Sequence, residues 1–342
     1  MENLKIVNYL KHMELSKAKH EYKVSIVVPN YNGAPYLQRF FESIEANTIY
    51  SNYFVVLIDN GSTDNSIEVA KNFKNRIPLF IIKNSINKGF PKACNQGIRF
   101  SLEMGADYIV IANNDVIILT KDWIRKLLEP VAKSPLKNKV GIIGCRVINL
   151  KPYYIIPPSP MPGPSTLALI YERFVSINKY LSDKIISCGR VPGPFFVISK
   201  RAIESVGFMD EAFTPGYEEE VDYFIRVLKS GFYIIYNPNV TVAHLGSVTF
   251  SRYYRALRNY FIWRNRLYLA RKHYGHGTLF MESVLSLITS IFTTKDSAKV
   301  ATLRNISIRI NAEDISLFFL ALFHSFNLRP MECALYKTDS FM

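Results

Sequence analysis

The chain has 342 residues, of which 49% are hydrophobic and 13% aromatic, so composition excludes a globally disordered protein. Its 42 basic and 28 acidic residues give a formal net charge of +14, which suggests an anionic partner: a nucleic acid, phosphate groups or an anionic membrane face. The four cysteines are far apart and form no CxxC or His/Cys pair, which argues against a structural zinc site and a disulfide framework.

The N-terminal residues 1–22 contain acidic side chains and no apolar run, so they do not resemble a signal peptide. No stretch reaches the roughly 18 consecutive apolar residues that a membrane-spanning helix requires. We therefore expect an N-terminal extension over residues 1–22 and a cytoplasmic protein that is not secreted.

Short apolar runs alternate with amphipathic stretches through the first half of the chain. Strands are predicted at Val24–Pro29, Phe54–Ile58, Leu79–Ile82, Tyr108–Ala112 and Val140–Ile148, and helices at Pro35–Ala46, Ile67–Phe73, Pro91–Met104 and Asp122–Ala132. Asp64 is placed to cap the second of these helices. The alternation predicts an α/β fold with parallel strands, right-handed crossovers and helices on both faces.

The second half is less regular. Lys151–Pro164 holds six prolines, which predicts an extended loop rather than a strand or helix. Further strands are predicted at Val191–Ser199 and Phe232–Asn237, with a helix over Glu218–Lys229 between them. No Asp or Glu occurs from Tyr223 to Met281.

Polar clusters follow three of the predicted strands, at Asn30–Asn32, Asp59–Asp64 and Asn113–Asp115. In parallel sheets ligands bind at the carboxyl ends of the strands, so these clusters predict one site. Neither a G-x-G-x-x-G fingerprint nor a G-x-x-x-x-G-K-S/T loop is present there. A bound nucleotide would therefore be held by carboxylates and a metal.

Each cluster also has a structural interpretation. Asp59–Asp64 is typical of a strand-to-helix turn with Gly61 at the bend, but Asp59 could equally accept hydrogen bonds from a base or ribose. Asn113–Asp115 could be a turn, or Asp115 could bind Mg²⁺ or Mn²⁺ bridging two phosphates. His244 follows an apolar run, where a lone histidine is either structural or a ligand.

The acids Glu218, Glu219, Glu220 and Asp222 open a predicted helix. Acids in a first turn are favoured by the helix dipole, which is one interpretation. Four neighbouring carboxylates should also repel one another and raise the proton affinity of at least one, which suits a general base.

Several motifs occur in order along the chain: Val24–Asn32, Asp59–Asp64, Asn87–Phe90, Asn95–Gly97, Asn113–Asp115, Gly193–Phe196, Gly207–Glu211, Glu219–Asp222, and His244 with Gly246. The ordered set, from Lys23 to Gly275, resembles the family-2 inverting glycosyltransferases. The Asn-Asn-Asp form at 113–115 most resembles the rhamnosyltransferase-like branch. The resemblance implies a GT-A-type nucleotide-sugar-binding domain over residues 23–250 and a helical C-terminal region over 251–342.

The resemblance also implies residue roles. It assigns the nucleotide-sugar donor to Pro29, Asn30, Asn32, Asp59, Gly61, Asn87, Gly89, Asn113 and Asn114. Asp115 matches the last acid of the family's D-x-D motif, the ligand of Mn²⁺ or Mg²⁺, with Asn113 replacing the first acid. His244 matches a family histidine near the diphosphate, a further metal ligand.

Glu219-Glu220 matches the family's Glu-Asp pair, whose second member is the usual base. Glu220 is one methylene longer than that Asp, so both Glu219 and Glu220 are candidates. The implied reaction transfers a sugar from a UDP-, dTDP- or GDP-linked donor to a saccharide or lipid-linked acceptor, in one inverting displacement.

The stretch Arg252–Lys272 holds seven basic residues interleaved with aromatics. It is either a solvated basic helix packed by its aromatics or a surface for peripheral contact with anionic lipid or a lipid-linked acceptor. No nucleic-acid partner is expected, because such a partner would explain the charge but not the strand-end clusters. A non-catalytic sugar-nucleotide-binding relative and a nucleotidyltransferase are further alternatives.

Overall fold

A mixed β-sheet forms the centre of the protein in a computed structural model, which describes residues 21–150, 153–159, 184–246, 255–292 and 319–325. Its strands are β1 (Val24–Asn30), β2 (Tyr53–Asp59), β3 (Leu79–Lys83), β4 (Tyr108–Ala112), β5 (Val116–Ile118), β6 (Val140–Leu150), β7 (Tyr153–Ile156), β8 (Ile186–Cys188), β9 (Phe195–Ser199) and β10 (Tyr233–His244). Within the described ranges the order is β3-β2-β1-β4-β9-β6-β10-β5, with β7 pairing to β6 and β8 to β10.

Helices connect and cover these strands. They are α1 (Ala34–Asn47), α2 (Ser66–Phe73), α3 (Phe90–Glu103), α4 (Trp123–Ala132), α5 (Lys200–Val206), α6 (Glu219–Lys229) and α7 (Arg255–Phe292). Gly275, at φ 81°, interrupts α7 and divides it into two helical segments. No helix in the described ranges combines the length and the apolar character needed to cross a bilayer.

The predicted parallel strands are confirmed in the first half. Strands β3, β2, β1 and β4 are parallel, and the register pairs Asn30 with Asp59 and Asp59 with Lys83. Because parallel strands end at the same edge, the predicted polar clusters after β1, β2 and β4 lie together there.

Antiparallel strands complete the sheet. The predicted strand at Val140–Ile148 is present as β6, but β9 lies between it and β4 and runs antiparallel to both. Tyr153–Ile156, predicted as extended loop, instead forms β7, antiparallel to β6. Its aromatic and β-branched residues favour a strand, and the neighbouring prolines lie outside it at an edge, where they are tolerated.

The two faces of the sheet carry separate hydrophobic cores. Ile26 and Val28 of β1 pack with α1, α2 and α4 on one face, whereas Val27 packs with α3, α5 and α6 on the other. This alternation follows from the two-residue period of a strand. Helices cover both faces of the sheet, as predicted.

Asp64 is not the cap residue of α2, because Asn65 occupies that position. The Asp64 carboxylate instead accepts hydrogen bonds from the backbone N–H groups of Ser66 and Ala34, both at 3.0 Å. It therefore ties the start of α2 to the start of α1. Predictions for residues 1–20, for the loop at 160–183 and for Arg252 lie outside the described residues.

Candidate active site

Asn30 connects the ends of three strands. Its Nδ2 donates to Asp59 Oδ1 at 3.3 Å and to Ser62 Oγ at 3.2 Å, and its Oδ1 accepts from Asn114 Nδ2 at 2.7 Å. Asn30, Asp59 and Asn114 are all buried. Three residues predicted to bind the nucleotide-sugar donor are thus in one hydrogen-bond network. This network holds Asn114, which immediately precedes Asp115. The preceding Pro29 is also buried.

Gly33 was missed by sequence reasoning. A Cβ atom there would lie 2.2 Å from Asn114 Nδ2 and 2.6 Å from Asn30 Oδ1. Only glycine leaves room for the hydrogen bond between these two side chains. The available signal was a glycine placed directly between the Asn-Tyr-Asn motif and a helix.

Asn32 and Gly61 shape the turn after β2. Asn32 has a φ of 48°, and its Oδ1 accepts from the backbone N–H of Thr63 at 2.7 Å. Gly61 has a φ of +82°, and a Cβ there would lie 2.8 Å from the carbonyl carbon of Ile86. Both residues therefore determine backbone shape at the predicted donor site.

A network of side-chain amides continues from this turn. Asn60 Nδ2 donates to Asn87 Oδ1 at 2.7 Å, and Asn84 Nδ2 donates to Asn60 Oδ1 at 3.0 Å and to Gln96 Oε1 at 2.8 Å. Asn87 was predicted at the donor site, whereas the roles of Asn60 and Asn84 were not recognised. Amide networks across separate elements leave no periodic signal in a sequence.

Gly89 brings α3 against the chain that leads to α6. It has a φ of +86°, and a Cβ there would lie 2.6 Å from Thr214 Cγ2. The N–H of the next residue, Phe90, donates to Pro215 O at 2.8 Å. The predicted donor loop and the segment that carries the acidic cluster are therefore in direct contact.

Asp115 and His244 meet where β4 and β10 end. Asp115 Oδ1 lies 3.4 Å from His244 Nε2, but the two are not aligned as a hydrogen bond, and buried Nε2 has no hydrogen-bond partner. His244 Nδ1 lies 3.1 Å from Asn149 Oδ1. An amide oxygen only accepts, so Nδ1 carries a proton; in the neutral imidazole, Nε2 then presents a lone pair to the carboxylate.

Two acceptors facing each other without a donor form an arrangement that a cation stabilises. Carboxylate oxygen and imidazole nitrogen are both ligands of Mn²⁺, so Asp115 and His244 fit a divalent metal. Among the described residues no set of three or more His, Cys, Asp or Glu side chains could hold a metal. Further ligands would come from a phosphate or from water.

The acidic cluster begins at a strained turn. Tyr217 and Glu218 have φ values of 77° and 68°, which non-glycine residues rarely adopt, and α6 begins at Glu219. Such strain persists only where surrounding contacts impose it, and it is concentrated at functional sites.

Glu219 and Glu220 both have raised pKa values. Burial, followed by the negative charge of Glu218, raises the pKa of Glu220 to about 7, although Arg190 opposes the shift. Burial and the charge of Glu220 raise the pKa of Glu219 well above its ordinary value. Glu219 Oε2 is buried without a hydrogen-bond partner. The expected increase in proton affinity is therefore present in this pair.

Asp222 behaves in the opposite way. Its buried carboxylate contacts Arg226 Nε at 2.9 Å, Lys272 Nζ at 2.6 Å and His273 Nε2 at 2.7 Å. Burial alone would raise the pKa of Asp222, but the hydrogen bond from His273 and the charges of Arg226 and Lys272 lower it to about 2. Asp222 is thus an anchor that favours the ionised form, because Arg226 and Lys272 balance its charge.

Gly193-Pro194 connects the two parts of the site. The carbonyl oxygen of Pro194 accepts from the N–H of Asn113 at 2.9 Å, two residues before Asp115. Gly193 lies against the Glu220 carboxylate, with no room for a Cβ between them. One dipeptide therefore contacts both the Glu220 carboxylate and the turn that carries Asp115.

Comparisons with known proteins identify the family of the chain. Residues 25–203 match the family described as glycosyl transferase family 2. The chain is 31% identical over 119 residues to glycosyltransferase GlyA of Streptococcus pneumoniae, which covers 35% of this chain and only 16% of that protein. It is 26% identical over 244 residues to the N-acetylglucosaminyl-diphospho-decaprenol L-rhamnosyltransferase of Mycobacterium tuberculosis, covering 64% of this chain and 75% of that protein.

A similar solved structure is a mannosyltransferase from Pyrobaculum calidifontis in complex with GDP-Man and Mn²⁺. The TM-score is 0.55 at 14% sequence identity, and the match covers 95% of this chain and 83% of that chain. At this identity the likeness establishes the fold.

Proposed function

Because this chain belongs to glycosyl transferase family 2 and has a GT-A-type fold, we propose that it transfers a hexose from a nucleotide diphosphate sugar to an acceptor hydroxyl with inversion. One observation carries the proposal: Gly193-Pro194 connects the Asp115 turn to the Glu220 carboxylate. A site for the leaving diphosphate and a base for the incoming hydroxyl are the two requirements of a single displacement.

We assign the leaving-group side to Asp115 and His244, which would hold Mn²⁺ or Mg²⁺. A divalent ion bound there would stabilise the charge that develops on the departing nucleoside diphosphate. The support is the unpartnered Nε2 of His244, 3.4 Å from Asp115 Oδ1. Asn113 is uncharged, so the metal ligands assigned here are one carboxylate and one imidazole.

The base is Glu220, with Glu219 as the alternative. As the acceptor oxygen bonds to the anomeric carbon, its proton passes to the Glu220 carboxylate, and the bond to the diphosphate breaks with its electron pair. A base is most effective when its pKa lies near the working pH, and the pKa of Glu220 is raised to about 7 by burial and by Glu218. One displacement inverts the anomeric configuration without a covalent intermediate.

The donor pocket is assigned to the strand-end residues, with Asp59 toward the base or ribose. Pro29, Asn30, Asn32, Gly61, Asn87, Gly89, Asn113 and Asn114 shape this pocket. The donor is UDP-, dTDP- or GDP-linked. A saccharide or lipid-linked acceptor fits the name of the mycobacterial relative, which includes a diphospho-decaprenol.

We further propose peripheral contact with the cytoplasmic face of an anionic membrane and no nucleic-acid partner. Support comes from the net charge of +14 and from exposed Phe280 and Phe323, which are 70% and 63% accessible. Such side chains enter the lipid interface while cations meet the headgroups.

The proposed reaction is tested with a panel of UDP-glucose, dTDP-rhamnose and GDP-mannose, each with and without Mn²⁺. Thermal shift reports donor binding, and release of nucleoside diphosphate reports turnover. We expect one donor to stabilise the protein and to be cleaved, both in an Mn²⁺-dependent way. Stabilisation without any release, even when mixed saccharide and polyprenyl-diphosphate acceptors are added, would indicate a non-catalytic binding protein.

A further inference from the structure

Asn265 of α7 lies against the turn that precedes the acidic cluster. Its side chain is fully buried, and Nδ2 donates to three backbone carbonyl oxygens: Phe213 at 3.0 Å, Gly216 at 2.8 Å and Tyr217 at 2.9 Å. One amide group from a distant helix therefore shares its two N–H donors among three carbonyls of the turn. Buried carbonyls without donors are costly, so the amide fixes the path of the chain there.

The residues on either side of Asn265 contact the same segment. Arg264, 1% exposed, donates to Thr214 O, and its Nε donates to Asn265 Oδ1 at 2.9 Å, which orients the amide. Arg266 Nε donates to Glu218 Oε1 at 3.1 Å. Three consecutive residues of α7 thus hold Thr214, the turn and Glu218.

The same helix contacts both ends of the acid-bearing segment. Lys272 Nζ lies 2.7 Å from Asp210 Oδ2 and 2.6 Å from Asp222 Oδ1. The basic residues of the stretch Arg252–Lys272 therefore point in part toward the protein interior. They do not form a uniformly solvated basic face. Arg258, by contrast, is exposed.

Positive φ values at Tyr217 and Glu218 explain why the turn requires such contacts. Backbone in this region relaxes unless its surroundings over-determine it. Relaxation of the turn would move the first residues of α6, and Glu219 and Glu220 are those residues. Displacement of a catalytic group by about 1 Å can cost about 10²-fold in rate.

We propose that Asn265 is a positioning residue for proton transfer: it holds the strained turn at 213–217, so that the carboxylates at the start of α6 face the acceptor site. The proposal rests on the proposed glycosyl transfer. It assigns α7 to the catalytic machinery, although α7 lies beyond the residues matched to the family at 25–203.

The test compares Asn265→Ala with Asn259→Ala. Asn259 is the same residue type on the same helix but is exposed, so its loss controls for helix propensity. Turnover is measured as nucleoside diphosphate release, using whichever of UDP-glucose, dTDP-rhamnose and GDP-mannose the wild type cleaves fastest. Binding of that nucleoside diphosphate with Mn²⁺ is measured by calorimetry, and folding by thermal melting.

We expect Asn265→Ala to lower kcat by about 10²-fold while the dissociation constant of the nucleoside diphosphate stays within about twofold, and Asn259→Ala to match the wild type. Unchanged kcat in Asn265→Ala overturns the proposal. So does an equal loss of kcat and nucleotide affinity, because it would indicate a general structural role.

Arg266→Gln provides the second variant if Asn265→Ala fails to fold. It removes the contact to Glu218 at the same turn, and the same separation of kcat from nucleotide affinity is expected. Wild-type kcat in Arg266→Gln would then overturn the proposal. If the wild type cleaves no nucleotide sugar, the proposed glycosyl transfer itself is refuted. This outcome is distinct from a failure of the Asn265 proposal, in which the wild type is active.

Discussion

Gly193 lies directly against Glu220: a Cβ atom at residue 193 would be 2.8 Å from Glu220 Oε1. The nearest atom is the mobile end of a side chain, so a methyl group there would displace the carboxylate rather than the backbone. The relationship links the segment just before β9 to the position of the proposed base.

We therefore expect Gly193→Ala to lower turnover by about 10²-fold with little change in melting temperature or in nucleoside diphosphate affinity. Gly277→Ala is the matched control, because a Cβ at residue 277 meets no atom within 4 Å. A normal kcat in Gly193→Ala would show that the carboxylate position observed here is not required for transfer.

Asp115 is expected to be essential for metal-dependent donor binding. Asp115→Ala should bind a nucleoside diphosphate equally weakly with and without Mn²⁺, because the remaining imidazole lacks the charge to retain the ion. Calorimetric titration checks this, with Glu68→Ala, an exposed acid on α2, as the control. An unchanged dissociation constant in the presence of Mn²⁺ would refute the metal assignment.

Comparison of Glu220→Gln with Glu219→Gln identifies the base. Glu220→Gln should lower kcat by about 10²–10⁴-fold, and donor affinity should persist because the diphosphate is bound elsewhere. If Glu219→Gln alone loses turnover, the two roles are exchanged. If both variants stay active, the proton goes to another group and the proposed mechanism is wrong.

The pH dependence of turnover follows from the raised pKa of the Glu220 carboxyl. The base acts when ionised, so kcat should increase with pH up to about 7 and then level off. Glu218→Gln removes a neighbouring negative charge and should move this increase to lower pH. A kcat–pH profile of Glu218→Gln that coincides with the wild type would show that Glu218 does not tune the base.

Fold stability should depend on Glu220 in the opposite sense from an ordinary carboxylate. Between the ordinary pKa of 4.5 and about 7 the folded state holds the proton more tightly than the unfolded state, so stability falls as pH rises through this window. Glu220→Gln should therefore increase the melting temperature more at pH 8 than at pH 4. Equal increases at both pH values would contradict the assignment.

Asp222 provides the contrasting case. Its pKa is lowered from 3.8 to about 2, so its contribution to stability is present above about pH 4 and is lost as pH falls through 2. Asp222→Asn should destabilise the protein by about 2 kcal/mol at neutral pH, measured by denaturant unfolding. An effect below about 0.5 kcal/mol, typical of surface substitutions, would contradict an anchoring role.

The parallel half of the fold and the location of the site follow from local patterns. Apolar runs such as Tyr108–Ala112 marked the strands, and the polar residues after them marked one edge because parallel strands end together. Pairings across long separations could not be predicted in this way. The insertion of β9 between β4 and β6 depends on pairings between residues distant in sequence, and no periodicity encodes it.

The role of Asn265 was hidden for a related reason. In the sequence it is one polar residue in a basic, aromatic helix, and its carbonyl partners lie about fifty positions earlier. Hydrogen bonds to backbone carbonyls require no complementary residue type. Only three-dimensional placement distinguishes Asn265 from exposed Asn259.

The break in α7 at Gly275 sets where a chimaera with another transferase could be joined. A junction at residue 250 would remove the amide donor from three carbonyls and leave Asp222 with Arg226 but without Lys272 and His273. A junction at Gly275 retains all of these contacts, and the helix is already interrupted there. The smallest exchangeable cassette of this transferase therefore extends through His273.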